Sequence, residues 1–220
     1  MYPPFHKQIT REAIGVFFGE QELREVLAGN TGQDHLHGQI GHPEFHFDDS
    51  EFARTYAYLD QLKSDVITRI QTGIDYPHAR TKFGRFTHAL QDFYAHSNYI
   101  QLWAESRDTT PQDWDGRIDC QDDSILHSPR LISGHFYSPW ELITFLPVIG
   151  RLFISLFPRD SHAYLNIDSP RNSTWFPLAY QAAVDRTRFE TRSLLELLTL
   201  SMPINLGHFL GKEISSFKGV

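Results

Sequence analysis

Residues 83–99, FGRFTHALQDFYAHSNY, constrain this chain more than any other stretch. Phe83, Phe86, Leu90 and Phe93 recur at three- and four-residue intervals, which predicts an amphipathic helix. His88, Asp92 and His96 are spaced four apart within the same run. Each step of four advances about 40° around a helix, so both imidazoles and the carboxylate fall on one stripe beside the apolar face. Imidazole and carboxylate together at the edge of a core form the donor pattern of a metal site more than that of a solvated helix face.

Composition bounds what surrounds that helix. The chain has 220 residues, 40% of them hydrophobic and 21% charged, enough for one sizeable domain with a packed core. Its formal net charge of −7, with no Lys/Arg cluster, weighs against a protein that grips a nucleic-acid backbone. Cys120 is the only cysteine among 12 histidines. No intrachain disulfide can form, and metal ligation would fall to imidazoles and carboxylates. The start, MYPPFHKQ, carries no apolar h-region. No signal peptide is visible, so the chain reads either as cytosolic or as a mature form whose leader has been removed.

Taken in order, Pro3 and Pro4 predict an extended lead over 1–9. Thr10 suits an N-cap, with Ala13, Ile14, Phe17 and Phe18 lining a first helix over 10–28. His6, alone, reads as an exposed terminal histidine. Residues 29–48 form a loop dense in Gly, Asn and Pro. With the next residue it holds Asp34, His35, His37, His42, His46, Asp48 and Asp49, and loops of this length are often functional. His35, His37 and His42 read as surface groups.

Asp49 or Ser50 can cap a helix over 50–73, with Phe52, Tyr56, Leu59, Leu62, Val66 and Ile70 as its core stripe and Gly73 at its stop. The central helix follows over 79–101. Residues 104–137 are a polar excursion whose aspartates lack the ordered spacing of an EF-hand. The most apolar run is 139–158, PWELITFLPVIGRLFISLFP. It fits a buried core helix better than a surface segment touching lipid. The loop RDSHAYLNIDSP, 159–170, carries His162, Asn166 and Asp168. A long helix over 173–200 turns Asp185, Arg186, Arg188 and Glu190 outward and Ala182, Ala183, Phe189, Leu194 and Leu195 inward. Pro203 ends it, and a short helix near 203–215 closes the chain. No strand pattern stands out, so residues 1–220 read as one all-α domain.

Three motifs then carry a resemblance. HKQIT from His6, the loop ending in HFDD from His46, and FTHALQDFYAHSNYI together resemble the zinc-dependent phospholipase C and single-strand nuclease superfamily. They look closest to its heterokaryon-incompatibility C-type branch, whose loop before the last ligand-bearing helix resembles HAYLNIDSP. The match runs over residues 5–100 and 160–190.

The resemblance implies an all-α fold of the zinc-dependent phospholipase C type, with long ligand-bearing loops around two or three zinc ions. It implies metal ligation by His6, Asp34, His46, His88, Asp92, His96, His162 and Asp168. Asp92 would bridge two ions, and Asp34 and Asp92 would be catalytic. Asp168 enters as a substitute carboxylate, because Asn166 stands where the superfamily has the glutamate of its H-x-x-x-E. Met1 stands where secreted members have a metal-binding tryptophan.

The activity implied is a zinc-dependent phosphodiesterase, a hydrolase of phospholipase C type. It would cleave a phospholipid head group, such as that of phosphatidylcholine, with a metal-bridging hydroxide. Residues 141–157 would supply peripheral membrane contact, and no nucleic-acid partner is favoured. A second reading is a single-strand nuclease or nucleotidase on the same metals, with Tyr94, Tyr99 and Trp103 as stacking platforms. A third is a non-catalytic zinc-containing recognition module.

Overall fold

One helix, Tyr76–His96, is buried on nearly every side. The structure, a computed structural model, describes residues 1–35, 41–137, 140–145 and 153–213. Between Phe83 and His96 only Arg85 reaches solvent, as expected of the middle helix of a bundle. The helices in chain order are α1 (Pro3–Ile14), α2 (Glu20–Thr31), the single turn α3 (Pro43–His46), α4 (Phe52–Thr72) and the central α5 (Tyr76–His96). They continue with α6 (Tyr99–Ser106), the short α7 (Asp123–Leu126) and α8 (His162–Leu165), then α9 (Phe176–Ser201) and α10 (Pro203–Leu210). Turns of 3₁₀ helix lie at Gly32–Asp34, Trp140–Phe145 and Ile154–Leu156. The fold is all-α. Among the described residues the only extended pairing is two isolated bridges, Ser97 with Ser133 and His135 with Ser161. No described helix is long and apolar enough to cross a membrane.

Helices α2, α4 and α9 pack around α5, and α1 lies against α9. The tightest crossing is that of α2 and α5, where two glycines meet. A Cβ on Gly84 would sit 2.1 Å from the Val26 carbonyl oxygen, and one on Gly29 would sit 2.3 Å from that of Thr81. The two backbones therefore touch directly, which no other residue type allows. That closeness brings Asn30 of α2 within 3.1 Å of the Thr87 hydroxyl, so helix spacing and the polar interior of the bundle are linked.

Several boundaries differ from the sequence expectation, each for a visible reason. The lead is helical: α1 begins at Pro3, where a missing N–H costs nothing because first-turn N–H groups have no helical partner. Thr10 is buried inside α1 and accepts from Gln91 Nε2 at 3.0 Å instead of capping. The first helix is two helices, because α1 and α2 serve different neighbours. Asp49 and Ser50 do not cap α4. Asp49 Oδ1 accepts from the Phe136 N–H at 3.0 Å, and the Ser50 N–H donates to Ser133 Oγ at 2.8 Å. The central helix stops at His96, where Ser97 turns extended (φ −106°, ψ 166°) and pairs with Ser133.

The apolar run at 139–158 is not a continuous core helix. Its described ends are 3₁₀ turns with Trp140 and Leu156 exposed, and residues 146–152 lie outside the described residues. On α9, Phe189 faces solvent, whereas Arg186 is largely covered and pairs with Glu190 at 3.0 Å. Pro203 opens α10 as well as closing α9.

Cys120 is buried, its carbonyl accepting from the Tyr94 hydroxyl of α5, and burial pushes its thiol up to about 11. The thiolate is the reactive form. At pH 8 the thiolate is therefore about 100-fold rarer than in the unfolded chain. Alkylation by iodoacetamide should therefore be far slower in the folded protein than in guanidinium. Its rate should climb with pH to beyond 10. Equal rates in both states would show that this packing is wrong.

Candidate metal centre

Asp92, on the last turn but one of α5, is fully buried, and the Met1 amine, side chains from two other helices and one from α5 itself reach it. From α1, His6 Nε2 lies 3.1 Å from Asp92 Oδ1. From α3, His46 Nδ1 lies 2.8 Å from Asp92 Oδ2. One turn earlier on α5, His88 Nε2 lies 2.9 Å from the same oxygen. Asp34, at the end of the 3₁₀ turn after α2, brings Oδ1 within 3.7 Å of His88 Nε2. The Met1 amine pairs with Asp92 and lies 3.0 Å from Asp168 Oδ1.

One turn further on, His96 sits between two more carboxylates. Its Nε2 lies 3.1 Å from Asp168 Oδ1, and its Nδ1 lies 3.2 Å from Asp48 Oδ1. The rings of His96 and His162 meet edge to face, with centroids 4.6 Å apart. The structure thus gathers all eight residues singled out in the sequence: His6, Asp34, His46, His88, Asp92, His96, His162 and Asp168. Three groups of donors lie close enough to share an ion: His6, His88 and Asp92; Asp34, His46 and His88; and Asp48, His96 and His162. His35, His78, His127, His135 and His208 are exposed instead, and His37 lies outside the described residues.

Local structure explains the convergence. Phe47, Asp49 and Ser50 all adopt positive φ (57°, 58° and 54°). These conformations are costly for side chains with a Cβ. They turn the chain sharply, so that His46 and Asp48 both face α5 while Phe47 is buried between them against Phe93. His162 is delivered by the loop around Gly134. The Gly134 N–H donates to the His96 carbonyl at 2.8 Å, and the His162 N–H donates to the His135 carbonyl at 2.9 Å.

A second layer holds the ligand-like groups. His6 Nδ1 faces Gln91 Oε1 at 2.6 Å. The amide oxygen can only accept, so it fixes the Nδ1–H tautomer and leaves the Nε2 lone pair toward Asp92. Asn166 Nδ2 donates to Asp168 Oδ2 at 2.8 Å. Gln91 and Asp48 had no role in the sequence reading. Asp48 could have been found from HFDD, where it falls two residues after His46; Gln91 follows only from its distance to His6.

The electrostatics favour bound positive charge. Burial would raise the Asp92 carboxyl, but the Met1 amine, His88, His96 and His6 hold it well below the usual carboxylate range. Asp168 is likewise lowered, against burial, by the Met1 amine and His96. Burial lowers the Met1 amine, but Asp168, Asp92 and Asp34 outweigh this and raise it to about 11. The space between these carboxylates therefore accommodates a cation. Burial lowers His88 to about 4 and keeps it neutral. His46 and His96 are raised, because Asp92 and Asp48 outweigh the burial that would lower them.

The donor set fits divalent metal on a further count. His46 Nδ1 and His88 Nε2 stand 3.2 Å apart against one carboxylate oxygen. His46 Nε2, His88 Nδ1 and Asp34 Oδ2 are buried without a hydrogen-bond partner. Donors about 2.0–2.2 Å from one tetrahedral ion stand a little over 3 Å from each other.

The comparisons with known proteins point away from the superfamily the motifs resemble. A family model described as the VWA7 N-terminal domain matches residues 13–114. Over 80 residues the chain is 34% identical to von Willebrand factor A domain-containing protein 7 of Rattus norvegicus, covering 36% of this chain and 9% of that protein. The protein of the same name from Mus musculus is 29% identical over 152 residues, covering 61% of this chain and 16% of its own length. That of Homo sapiens is 35% identical over 80 residues, again 36% of this chain and 9% of the relative. The chain thus spans a small fraction of these relatives. No solved structure matches it.

These findings overturn the assignment to the zinc-dependent phospholipase C and nuclease superfamily. They overturn with it the phosphodiesterase activity and the hydrolase class. The short motifs misled because a helix carrying H-x-x-x-D-x-x-x-H is a geometric solution to gathering donors, and geometry alone does not name a reaction. What the chain is similar to, over residues 13–114, is the N-terminal domain of VWA7.

Proposed function

We propose that this domain binds divalent metal, as two or three zinc ions held by His6, Asp34, His46, His88, Asp92, His96 and His162, with Asp168 beside them. The observation that carries the reading is the pair His46 Nδ1 and His88 Nε2, 3.2 Å apart on one oxygen of a fully buried carboxylate. Two imidazole nitrogens and a carboxylate oxygen this close to one another match the donor spacing around one tetrahedral ion. Imidazole with carboxylate, without thiolate, suits zinc. Within the stretch similar to the VWA7 N-terminal domain lie Asp34, His46, His88, Asp92 and His96. His6, His162 and Asp168 lie outside it. Bound ions would lock α1, the loop before α4, the end of α5 and the loop at 160–168 in one arrangement. The role is therefore that of a metal-organised domain, and much of its folding free energy would be metal-binding free energy.

The test is metal analysis. Protein reconstituted with zinc and gel-filtered is expected to retain two or three ions per chain by plasma mass spectrometry. Its melting temperature should fall on treatment with a chelator. Less than one retained ion per chain sinks the reading.

Retention should also depend on pH. A ligand imidazole must be unprotonated. His46 and His96, held above their ordinary value, are the first to take up protons as pH falls, and His88, at about 4, is the last. Protons should therefore compete with the ions, and retention should fall steadily as pH is lowered from 8 to 4. Flat retention from pH 8 to 4 would mean that imidazoles are not ligands.

A further inference from the structure

We infer that Asp48 is a metal ligand, joining His96 Nδ1 and His162 on one ion, and that Asp168 orients His96 from its opposite nitrogen. The inference rests on the metal-binding reading above and names the donor set of one of its ions.

The two carboxylates beside His96 are not equivalent. Asp168 is satisfied: its Oδ2 accepts from Asn166 Nδ2 at 2.8 Å and its Oδ1 accepts from His96 Nε2 at 3.1 Å. Asp48 Oδ1 is buried and makes no hydrogen bond of good geometry, although His96 Nδ1 is 3.2 Å away. An oxygen placed against a ring nitrogen without bonding to it is what two ligands of the same ion look like. The donor atoms of Asp48, His96 and His162 all lie within 4.8 Å of one another, and each comes from a different segment.

The proton on His96 then has a defined place. In the metal-bound form one ring nitrogen is a ligand and the other keeps its hydrogen. If Nδ1 is the ligand, Nε2–H donates to Asp168, which forms the carboxylate–histidine–metal relay that fixes ring orientation and raises ligand basicity. The opposite assignment puts the ligand at Nε2 and leaves Nδ1–H to donate to the His46 carbonyl, 3.0 Å away. That arrangement would leave the buried Asp48 Oδ1 without a hydrogen bond, which costs free energy. The backbone around Asp48 agrees. Positive φ at Phe47, Asp49 and Ser50 holds the Asp48 side chain facing His96.

The two assignments separate under substitution. Asp48→Asn is expected to lower zinc content by one ion per chain and to change the visible absorption of the cobalt-substituted protein. Asp168→Asn should keep the full count and weaken that ion about 10–100-fold. His162→Gln, on a different segment, should remove the same ion as Asp48→Asn. If one of these two variants fails to fold by circular dichroism, the other decides. Full zinc content and an unchanged cobalt spectrum in Asp48→Asn and His162→Gln would overturn the inference. So would loss of the ion in Asp168→Asn with retention in Asp48→Asn. In either case the wild-type protein would still hold its metals and the metal-binding reading would stand. A wild-type protein that retains no zinc would instead defeat that reading first.

Discussion

Asp92→Asn is expected to remove the ions held around Asp92 and to cost more stability than any other single polar substitution in the chain. The carboxylate gives one oxygen to His6 and the Met1 amine and the other to His46 and His88. It is therefore the one group shared by α1, α3 and α5. Asparagine keeps the shape but offers only one acceptor, and its NH₂ cannot ligate a metal. It would also leave buried positive partners without their counter-charge. Removing one member of a buried charged set costs about 3–5 kcal/mol. For a domain of this size that corresponds to a drop of roughly 6–20 °C in melting temperature. Zinc content should fall in the same variant to the single ion that Asp48, His96 and His162 hold. Unchanged metal content with an unchanged melting temperature would remove Asp92 from the centre of the site. Asp65→Asn, a partly exposed carboxylate paired with Arg69 and Lys82, serves as the control. Its effect should be within about 1 kcal/mol.

Gly84→Ala is the largest expected effect from a single added methyl group. The new Cβ would lie 2.1 Å from the Val26 carbonyl oxygen and 2.6 Å from the Asn30 nitrogen. Both are backbone atoms of α2, so no rotamer change relieves the clash and the helices must separate. Overpacking of this kind costs about 1–3 kcal/mol, and here the upper end is expected because the opposing surface is rigid. The displacement should reach the site. Asp34 is carried on the 3₁₀ turn that follows α2, and Asn30 bonds to Thr87 and Gln91 at 3.1 and 3.4 Å, the second of which holds His6. Gly84→Ala should therefore weaken zinc binding, whereas Leu206→Ala in the α10 contact should destabilise the fold without changing zinc affinity. Equal zinc affinity in the two variants would show that α2 spacing does not set the position of Asp34.

The central helix was legible because its apolar period and its donor spacing coincide: Phe83, Phe86, Leu90 and Phe93 carry the one, His88, Asp92 and His96 the other. The α4 stripe from Leu59 to Ile70 was legible for the same reason, and Gly73 marked its end. Alpha-helical packing reads out in sequence wherever one face is buried and one is wet. It failed where local rules compete with tertiary partners. Pro3 and Pro4 begin a helix because the first turn needs no N–H from them. Thr10 faces Gln91 across the bundle instead of capping its own helix. The 139–158 run is apolar without a continuous helix in its described parts.

The sequence alone determined the class of donor available to this protein. Many histidines, one cysteine and carboxylates at ligand-like spacing restrict any metal chemistry to imidazole and carboxylate. Only the tertiary structure decided which of those groups meet. His6, Asp34, His46, Asp48, His162 and Asp168 are distant from α5 along the chain. Their approach depends on glycine contacts between helices and on a strained turn at 47–50. Those are properties of backbones in three dimensions, and no spacing along the sequence encodes them.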